Sequence, residues 1–188
     1  MKIGVIGDTH GFFHPGIPEA FAGVEKIIHT GDLGSRGVYE QLKKIAPVLW
    51  VKGNHEPEEI PDALPDFSVL DLAGKKIMLT HTLTTMSWEY FKDALLRSDS
   101  FNLPPFSLFQ PGRIIAADSS ALNVRAPSGA IPLKLVIFGH THYPIQDRVQ
   151  GVYFLNPGYC GNDQRENEPT AAILELTEES VSSRLIRM

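Results

Sequence analysis

The sequence is poor in cysteine and has no long apolar run. Cys160 is the only cysteine among 188 residues, so the chain forms no internal disulfide and gives no sign of an oxidising compartment. No apolar run approaches the roughly 18 residues that a membrane helix needs. The apolar run at residues 3–7 ends at Asp8 and is too short for the core of a signal peptide. We therefore expect a cytoplasmic protein that does not associate with membranes.

Positive charge is also scarce. The chain has 17 Lys and Arg residues against 22 Asp and Glu residues, which gives a formal net charge of −5. A broad nucleic-acid-binding surface needs clustered Lys and Arg, so we expect no long nucleic acid as a partner. A small phosphate ligand is compatible with this charge if something local supplies the positive charge.

Common catalytic motifs are missing as well. Residues 4–7 lack the third glycine of a dinucleotide fingerprint, and Asp8 would stand where a pyrophosphate needs backbone N–H groups. Neither a Gly-x-x-x-x-Gly-Lys-Ser/Thr loop nor a Gly-x-Ser-x-Gly nucleophile motif occurs. Cys160 has no base beside it in the sequence, which favours a neutral or buried thiol over a nucleophile and leaves its distance from any site open.

Short apolar or alternating runs predict β-strands. They cover residues 2–7, 26–29, 48–52, 75–80, 134–138, 152–155, 171–176 and 181–186, the last as an edge strand. A helix is predicted between the second and third strands, because Val38, Leu42 and Ile45 recur at helical spacing. Either Ser35 or Asp32 would cap it. The pattern predicts one α/β domain over residues 1–188.

Residues 82–133 interrupt this pattern. Residues 86–97 predict a helix, and the stretch after it is irregular, with five prolines and three phenylalanines. Compact domains seldom spend so many residues without regular structure unless the segment has a function. The segment is either a surface excursion that covers its own aromatic residues or a lid or oligomer contact, so a homo-oligomer is one outcome.

Five of the predicted strands are followed at once by polar residues that can bind metals or transfer protons, mostly beside a glycine. These residues are Asp8 and His10, Asp32, Asn54 with His55 and Glu56, His81, and His140 with His142. Open α/β sheets place their ligand sites beyond the carboxyl ends of their strands. Each motif alone is weak, because Gly-Asp is usually a turn and Asn-His is common in loops. Their repetition at five strand ends predicts a single polar site.

Most of these side chains offer an oxygen or nitrogen ligand to a metal ion. The seven candidate ligands are Asp8, His10, Asp32, Asn54, His81, His140 and His142. One ion with a water position needs fewer ligands, whereas two ions that share a bridging carboxylate fit the number. Oxygen and imidazole ligands without thiolate favour Mn, Fe, Co, Ni or Zn over calcium or a cysteine-rich zinc site. The ions would supply the positive charge that the composition lacks.

The five motifs, in this order, resemble the signature of the calcineurin-like metallophosphoesterases over residues 8–142. The beginning of the chain at residues 2–11 and the Asn156-Pro157-Gly158 loop are similar to the small prokaryotic phosphodiesterase branch of that family. The resemblance implies a four-layer α/β fold, in which a two-sheet β-sandwich is flanked by helices. It places the site at the edge of the sheets.

The resemblance also implies a role for each ligand. One ion would be held by Asp8, His10, Asp32 and His142, and the other by Asp32, Asn54, His81 and His140. Asp32 would bridge the two ions, and His55 would protonate the leaving group or stabilise the transition state. Glu56 would either orient His55 or be solvated. His29 matches no motif position and is expected to be a packed residue at a strand end.

The chain departs from the family pattern at three places. His81 is followed by Thr82 where small relatives usually have glycine, so we expect a different turn after this strand. The stretch between His81 and His140 is longer than in the smallest members. Tyr159 and Cys160 follow Gly158 where relatives often have serine, so we expect different local phosphate contacts.

The functional hypothesis is a divalent-metal-dependent phosphoesterase that acts on a small phosphoester, with a phosphodiesterase preferred over a monoesterase. A hydroxide bridging two ions, with Mn as the first choice of metal, would attack phosphorus in line, and Asp32 and His55 would be the catalytic residues. The alternative is a binding module of the same fold that recruits a protein partner through residues 82–133. The complete ligand set counts against this alternative.

Overall fold

Ten strands form two five-stranded sheets in the computed structural model. The structure describes residues 1–57, 65–83, 108–110, 113–115, 133–149, 151–163 and 167–188. In spatial order, the first sheet contains β12 (Val181–Arg187), β11 (Thr170–Leu176), β1 (Lys2–Ile6), β2 (Lys26–His29) and β3 (Val48–Trp50). The second contains β4 (Phe67–Leu72), β5 (Lys75–Thr80), β8 (Leu133–Ile137), β10 (Val152–Asn156) and β9 (Ile145–Val149). A separate two-stranded ladder pairs β6 (Leu108–Gln110) with β7 (Arg113–Ile115).

The apolar core lies in two layers, one on each face of the first sheet. Between the two sheets, Val5 and Ile28 of the first sheet pack with Leu79 and Ile137 of the second. On the other face, α1 (Ile17–Ala20) and α2 (Arg36–Lys43) bury apolar side chains against β1, β2 and β11. The predicted α/β sandwich of two sheets with flanking helices is confirmed, and both described helices flank the first sheet.

All eight predicted strands are present, with ends that differ from the prediction by at most two residues. The strand β12 lies at a sheet edge, as predicted. The helix α2 begins after Ser35, whose Oγ accepts the Val38 N–H at 3.3 Å, so Ser35 rather than Asp32 is the cap. Ile45 lies just beyond the end of α2 but still packs against the same apolar cluster.

Two strands of the second sheet, β4 and β9, are missing from the sequence prediction. The strand β4 joins β5 through the two-residue turn Ala73-Gly74, in which both residues have positive φ (49° and 69°). Such turns usually carry Asn-Gly or Asp-Gly, so alanine at the first position hid the signal. The strand β9 is an edge strand with the polar sequence IQDRV, which lacks the apolar run of a buried strand.

Most of the segment at residues 82–133 lies outside the described residues. This includes the helix predicted at residues 86–97, the proposed lid or oligomer contact, and the aromatic residues Phe101 and Phe106. The division into domains also stays a prediction. Within the described ranges, no helix is long and apolar enough to cross a membrane.

Parallel pairing brings the predicted site residues to one edge of each sheet. The strands β1, β2 and β3 run parallel in the first sheet, and β5, β8 and β10 run parallel in the second. The residues that follow the carboxyl ends of neighbouring parallel strands therefore lie side by side.

Candidate metal centre

Hydrogen bonds join the loops after β1, β2, β3, β5 and β8. The Gly34 N–H donates to the His55 carbonyl at 3.1 Å, and the His140 N–H donates to Asp8 Oδ1 at 3.1 Å. The Asp8 N–H donates to the Gly31 carbonyl at 3.0 Å, which ties the β1 loop to the β2 loop. The Gly139 N–H donates to the His81 carbonyl at 2.9 Å, which ties the β8 loop to the β5 loop. The five strand ends therefore form one site, as the repeated sequence pattern predicts.

The backbone is strained where the candidate ligands lie. Six non-glycine residues in the described ranges have positive φ, and five of them are candidate ligands: Asp8 (49°), His10 (45°), Asp32 (56°), His140 (68°) and His142 (59°). This left-handed conformation is costly for residues with a Cβ, and it persists only where the surroundings enforce it. Because this conformation is concentrated at the strand ends, we infer that the fold there holds particular side chains in fixed directions.

Glycine precedes two of these ligands because another ligand passes directly beside it. A Cβ at Gly31 would come within 2.7 Å of the His81 Nδ1 atom, and one at Gly139 within 2.8 Å of an Asp8 carboxylate oxygen. Only glycine leaves room for both side chains. The Gly-ligand pairs of the sequence therefore follow from close packing around the site.

A first group of side chains consists of Asp8, His10 and His142. One ligand atom from each lies within 4.8 Å of the others. The Nε2 atoms of His10 and His142 are 3.3 Å apart, and His142 Nε2 lies 3.5 Å from Asp8 Oδ1. Two imidazoles and a carboxylate that face each other this closely have the geometry of a set of ligands for a cation.

A second group contains Asp8, Asp32 and His81, again with one ligand atom of each within 4.8 Å of the others. His81 Nε2 lies 3.5 Å from Asp32 Oδ1 and 3.3 Å from His140 Nδ1, so His140 adjoins this group. The His81 Nδ1–H donates to the Thr30 carbonyl at 2.8 Å, which directs Nε2 towards the carboxylate.

Asp32 lies between the two groups. Its Oδ1 is 3.5 Å from His81 and its Oδ2 is 3.7 Å from His10 Nε2, so the two carboxylate oxygens face opposite groups. The side chain is only 3% exposed. This is the geometry expected of a carboxylate that could bridge two ions.

The protonation tendencies of the site suit a cation. Burial by itself raises the pKa of Asp32, but hydrogen bonding to His81 and the His55 backbone N–H outweighs it and holds the pKa well below its usual range. Burial lowers the pKa of His10 and of His140, which favours neutral imidazoles with a free lone pair. The ionised Asp32 carboxylate beside neutral His10 and His140 offers donors to a divalent metal ion. At His81 burial lowers the pKa, but the hydrogen bond to Asp32 and the charges of Asp8 and Asp32 outweigh it and raise the pKa in the metal-free site.

Asn54 and His55 lie at the exposed rim of the site, on the loop after β3. The His55 N–H donates to Asp32 Oδ1 at 2.8 Å, and the His55 ring centroid is 5.5 Å from that of His10. The structure thus brings six of the seven predicted ligands into direct contact with one another. Asn54 lies next to His55 on the loop after β3 and is exposed to solvent.

Glu56 has a role that neither of the two interpretations of the sequence anticipates. Its carboxylate accepts backbone N–H groups from Asp32 (2.9 Å), Leu33 (3.2 Å) and Gly53 (2.8 Å). It therefore ties the loop after β3 to the loop after β2. Glu56 is half-buried, and its described bonds go to backbone amides and not to the His55 ring. No sequence signal marks a carboxylate whose partners are backbone amides from two loops.

Cys160 is fully buried, and burial raises the pKa of its thiol to about 12. The thiol is therefore neutral, in agreement with the interpretation of the sequence. The Cys160 N–H donates to the Asp8 carbonyl at 3.4 Å, so the residue lies next to the site through its backbone.

The profile of the calcineurin-like phosphoesterase superfamily domain matches residues 1–179 of the chain. The chain belongs to this superfamily. A probable metallophosphoesterase from Methanocaldococcus jannaschii is 26% identical, over 99% of this chain and 81% of its own length. A phosphodiesterase from the same organism is also 26% identical, over 85% of this chain and 84% of its own length.

A solved structure shares the fold of this calcineurin-like phosphoesterase domain. Vps29 from Entamoeba histolytica, determined in complex with Zn²⁺, superposes with a TM-score of 0.63 at 19% identity. The alignment covers all of this chain and 99% of the other. The likeness shows that the arrangement of the two sheets is that of a known fold.

In this phosphoesterase domain, the buried His29 bonds to the loops after β1 and β2, which carry the candidate ligands Asp8 and Asp32. Its Nδ1 accepts the Gly31 N–H at 3.2 Å, so Nε2 carries the proton and donates to the Thr9 hydroxyl at 3.0 Å. Thr9 in turn donates to the Leu33 carbonyl at 3.0 Å. His29 is a packed strand-end residue, as expected, and it also connects the loops that carry Asp8 and Asp32.

We expect His29 to make folding stability dependent on pH. Burial, followed by the positive charge of His81, lowers its pKa from 6.5 to about 3. The unfolded chain therefore takes up the proton first as the pH falls, and stability decreases from about pH 6.5 towards pH 3. In metal-free protein, the unfolding free energy of the wild type should fall more steeply between pH 6 and pH 4 than that of His29→Gln, by up to about 1.4 kcal/mol per pH unit. Urea denaturation of both proteins at each pH measures this, and parallel curves would contradict it.

Proposed function

We propose that this chain is a divalent-metal-dependent phosphodiesterase that hydrolyses a small phosphoester. The observation that carries the proposal is the position of Asp32, whose two carboxylate oxygens face different imidazoles of two candidate ligand groups that have Asp8 in common. Membership of a phosphoesterase superfamily and the 26% identity to an archaeal phosphodiesterase support the same chemistry.

The donor set fits two divalent ions. Asp8, His10, Asp32 and His142 would hold one ion, and Asp32, Asn54, His81 and His140 the other. All of these ligands offer oxygen or nitrogen, and the buried Cys160 thiol is neutral, so Mn, Fe, Co, Ni and Zn suit the site. We place Mn first among them. When bound, such ions lower the pKa of a water and neutralise charge that develops on the phosphoryl oxygens.

Asp32 and His55 would position the metal ions and the leaving group. Asp32 would hold both ions at a fixed separation, because its backbone N–H is bonded to Glu56 and its Oδ1 accepts the His55 N–H. His55 would donate a proton to the oxygen of the leaving group, since its ring is exposed at the rim beside His10. The exposed position of Asn54 and His55 suits a diester, whose second ester group must extend out of the metal site.

The test is hydrolysis of bis-p-nitrophenyl phosphate by protein from which metals have been removed with a chelator. Turnover should be absent without metal, return with Mn²⁺ or Ni²⁺, and exceed turnover of the monoester p-nitrophenyl phosphate. Metal analysis of the purified protein should show close to two ions per chain. If no divalent metal supports turnover and the protein binds none, the proposal is wrong. A larger turnover of the monoester would overturn the diester preference alone.

A further inference from the structure

We propose that Tyr159 is a positioning residue that orients His10 and His142 for one of the two metal ions and leaves the other ion largely unaffected. The inference rests on the proposed function, because it concerns how the same side chains bind metal. Tyr159 belongs to the Tyr-Cys pair at which the sequence departs from the family pattern.

Tyr159 packs against both histidines of the first group. The tyrosine is 2% exposed, and its ring centroid lies 4.9 Å from that of His142 and 6.0 Å from that of His10. The ring planes are inclined by 33° and 37°. These separations lie within the range of about 4.5–7 Å at which aromatic rings attract each other. The three rings form one packed cluster on one side of Asp8.

The tyrosine ring is itself held in place. Its hydroxyl oxygen accepts the Asp163 N–H at 2.8 Å, and the Thr170 N–H donates to the Tyr159 carbonyl at 2.7 Å. Gly161 lies so close to the ring that a Cβ there would come within 2.7 Å of Tyr159 Cε2. The ring therefore has little room to move and can act as a fixed wall for the two imidazoles.

Other bonds from the same part of the chain support this wall. The Asn167 Nδ2 group donates to the His142 carbonyl at 3.0 Å, and the Cys160 N–H donates to the Asp8 carbonyl at 3.4 Å. The loops after β1 and β8, which carry the first group, are thus both contacted by Tyr159, Cys160 and Asn167. The loop after β10 is built against this half of the site.

The second group is held by a different device. His81 and His140 form an edge-on ring pair at 5.1 Å, and the Thr30 carbonyl accepts the proton of His81 Nδ1. The two halves of the site therefore depend on different neighbours. A change at Tyr159 should act on the first group and reach the second only through the carboxylates that they share.

A fixed wall beside two imidazoles strengthens metal binding for two reasons. Imidazoles that are already oriented lose less conformational freedom when they bind an ion. An imidazole that binds a cation also becomes more positive, and an aromatic face beside it stabilises that charge. Altering the groups that surround ligating histidines typically costs about 10-fold to 100-fold in metal affinity.

The experiment is a Mn²⁺ titration of chelator-treated protein, followed by the electron paramagnetic resonance signals of free Mn²⁺ and of the coupled Mn²⁺ pair. In Tyr159→Leu we expect one of the two dissociation constants to rise about 10-fold to 100-fold and the coupled signal to weaken. Tyr159→Phe keeps the ring but loses the oxygen that accepts the Asp163 N–H, so it should weaken the same ion less than Tyr159→Leu does. Tyr153→Leu removes a half-buried tyrosine on β10 that bonds to Ser183, and it should bind both ions normally.

Two further variants, each lacking one candidate ligand, show which of the two ions Tyr159→Leu weakens. With His81→Ala, which weakens the second group, Tyr159→Leu should still reduce the affinity of the remaining ion. With His10→Ala, which weakens the first group, it should have little further effect. Tyr159→Met, which fills the space without an aromatic face, is measured in parallel and should behave like Tyr159→Leu. Circular dichroism checks the fold of each variant.

The outcomes separate this inference from the proposed function. If the wild type binds two Mn²⁺ ions and Tyr159→Leu and Tyr159→Met bind both equally well, the inference is wrong and the function is untouched. Equal weakening of both ions also overturns it, because Tyr159 would then support the whole site. If the wild type binds no metal, the proposed function fails and the inference fails with it.

Discussion

Asp32→Asn should reduce kcat/KM for bis-p-nitrophenyl phosphate by at least about 1000-fold, which corresponds to about 4 kcal/mol of transition-state stabilisation. The substitution keeps the size of the side chain and an acceptor for the His55 N–H, but it removes the charge that faces both ligand groups. A neutral amide is a much weaker ligand for a divalent ion than a carboxylate and bridges two ions poorly. We expect the coupled signal of a Mn²⁺ pair to disappear along with turnover.

The matched control for this substitution is Asp71→Asn. Asp71 lies on β4, is exposed, and faces Lys76 at 3.5 Å. An exposed pair of this kind contributes little to stability, so the variant should keep wild-type activity and metal content. If Asp32→Asn kept more than about a tenth of wild-type kcat/KM, Asp32 could not be the carboxylate on which both ions depend.

His55→Ala should lower kcat by about 10²-fold to 10⁴-fold for a diester whose leaving group is a simple alcohol. An alkoxide is a poor leaving group, so a proton donated during bond cleavage matters greatly. For bis-p-nitrophenyl phosphate the loss should be much smaller, because nitrophenolate departs readily without a proton. The measurement is kcat for both substrates with the wild type and the variant at saturating metal.

Metal content separates a proton donor from a ligand. Only the backbone N–H of His55 contacts Asp32, and alanine retains that N–H, so His55→Ala should still bind two ions. His14→Ala is a suitable control, since His14 lies on the β1 loop and its Nδ1 accepts only the Gly16 N–H among its described bonds. Equal losses for the two substrates would contradict proton donation and indicate a role in holding the phosphate.

The positions of the candidate ligands at strand ends were predictable because their signals are local. Each follows an apolar run, and the run predicts both the strand and the place where it ends. In contrast, β4 was hidden because Ala73 occupies a turn position that usually carries asparagine or aspartate. The strand β9 was hidden because a polar edge strand has no apolar run. Both omissions concern turn chemistry and sheet edges, and neither alters the strands that carry the site.

The roles of the supporting residues were not predictable, because they depend on groups that are distant in the chain. Glu56 bonds to amides on two loops, and His29 connects the loops after β1 and β2. Tyr159 packs on His10, which lies 149 positions earlier in the sequence. None of these contacts leaves a spacing pattern that could be recognised in the sequence.

By itself, the sequence determined which residues could bind metal and that they follow strands, since apolar runs, glycines and ligand-type side chains are properties of short segments. Only the tertiary structure decided how they divide into two groups with Asp32 between them, and which neighbours hold each group. The reason is physical: that division depends on parallel pairing within two sheets and on left-handed backbone at five ligands, and both are enforced by packing across the whole chain.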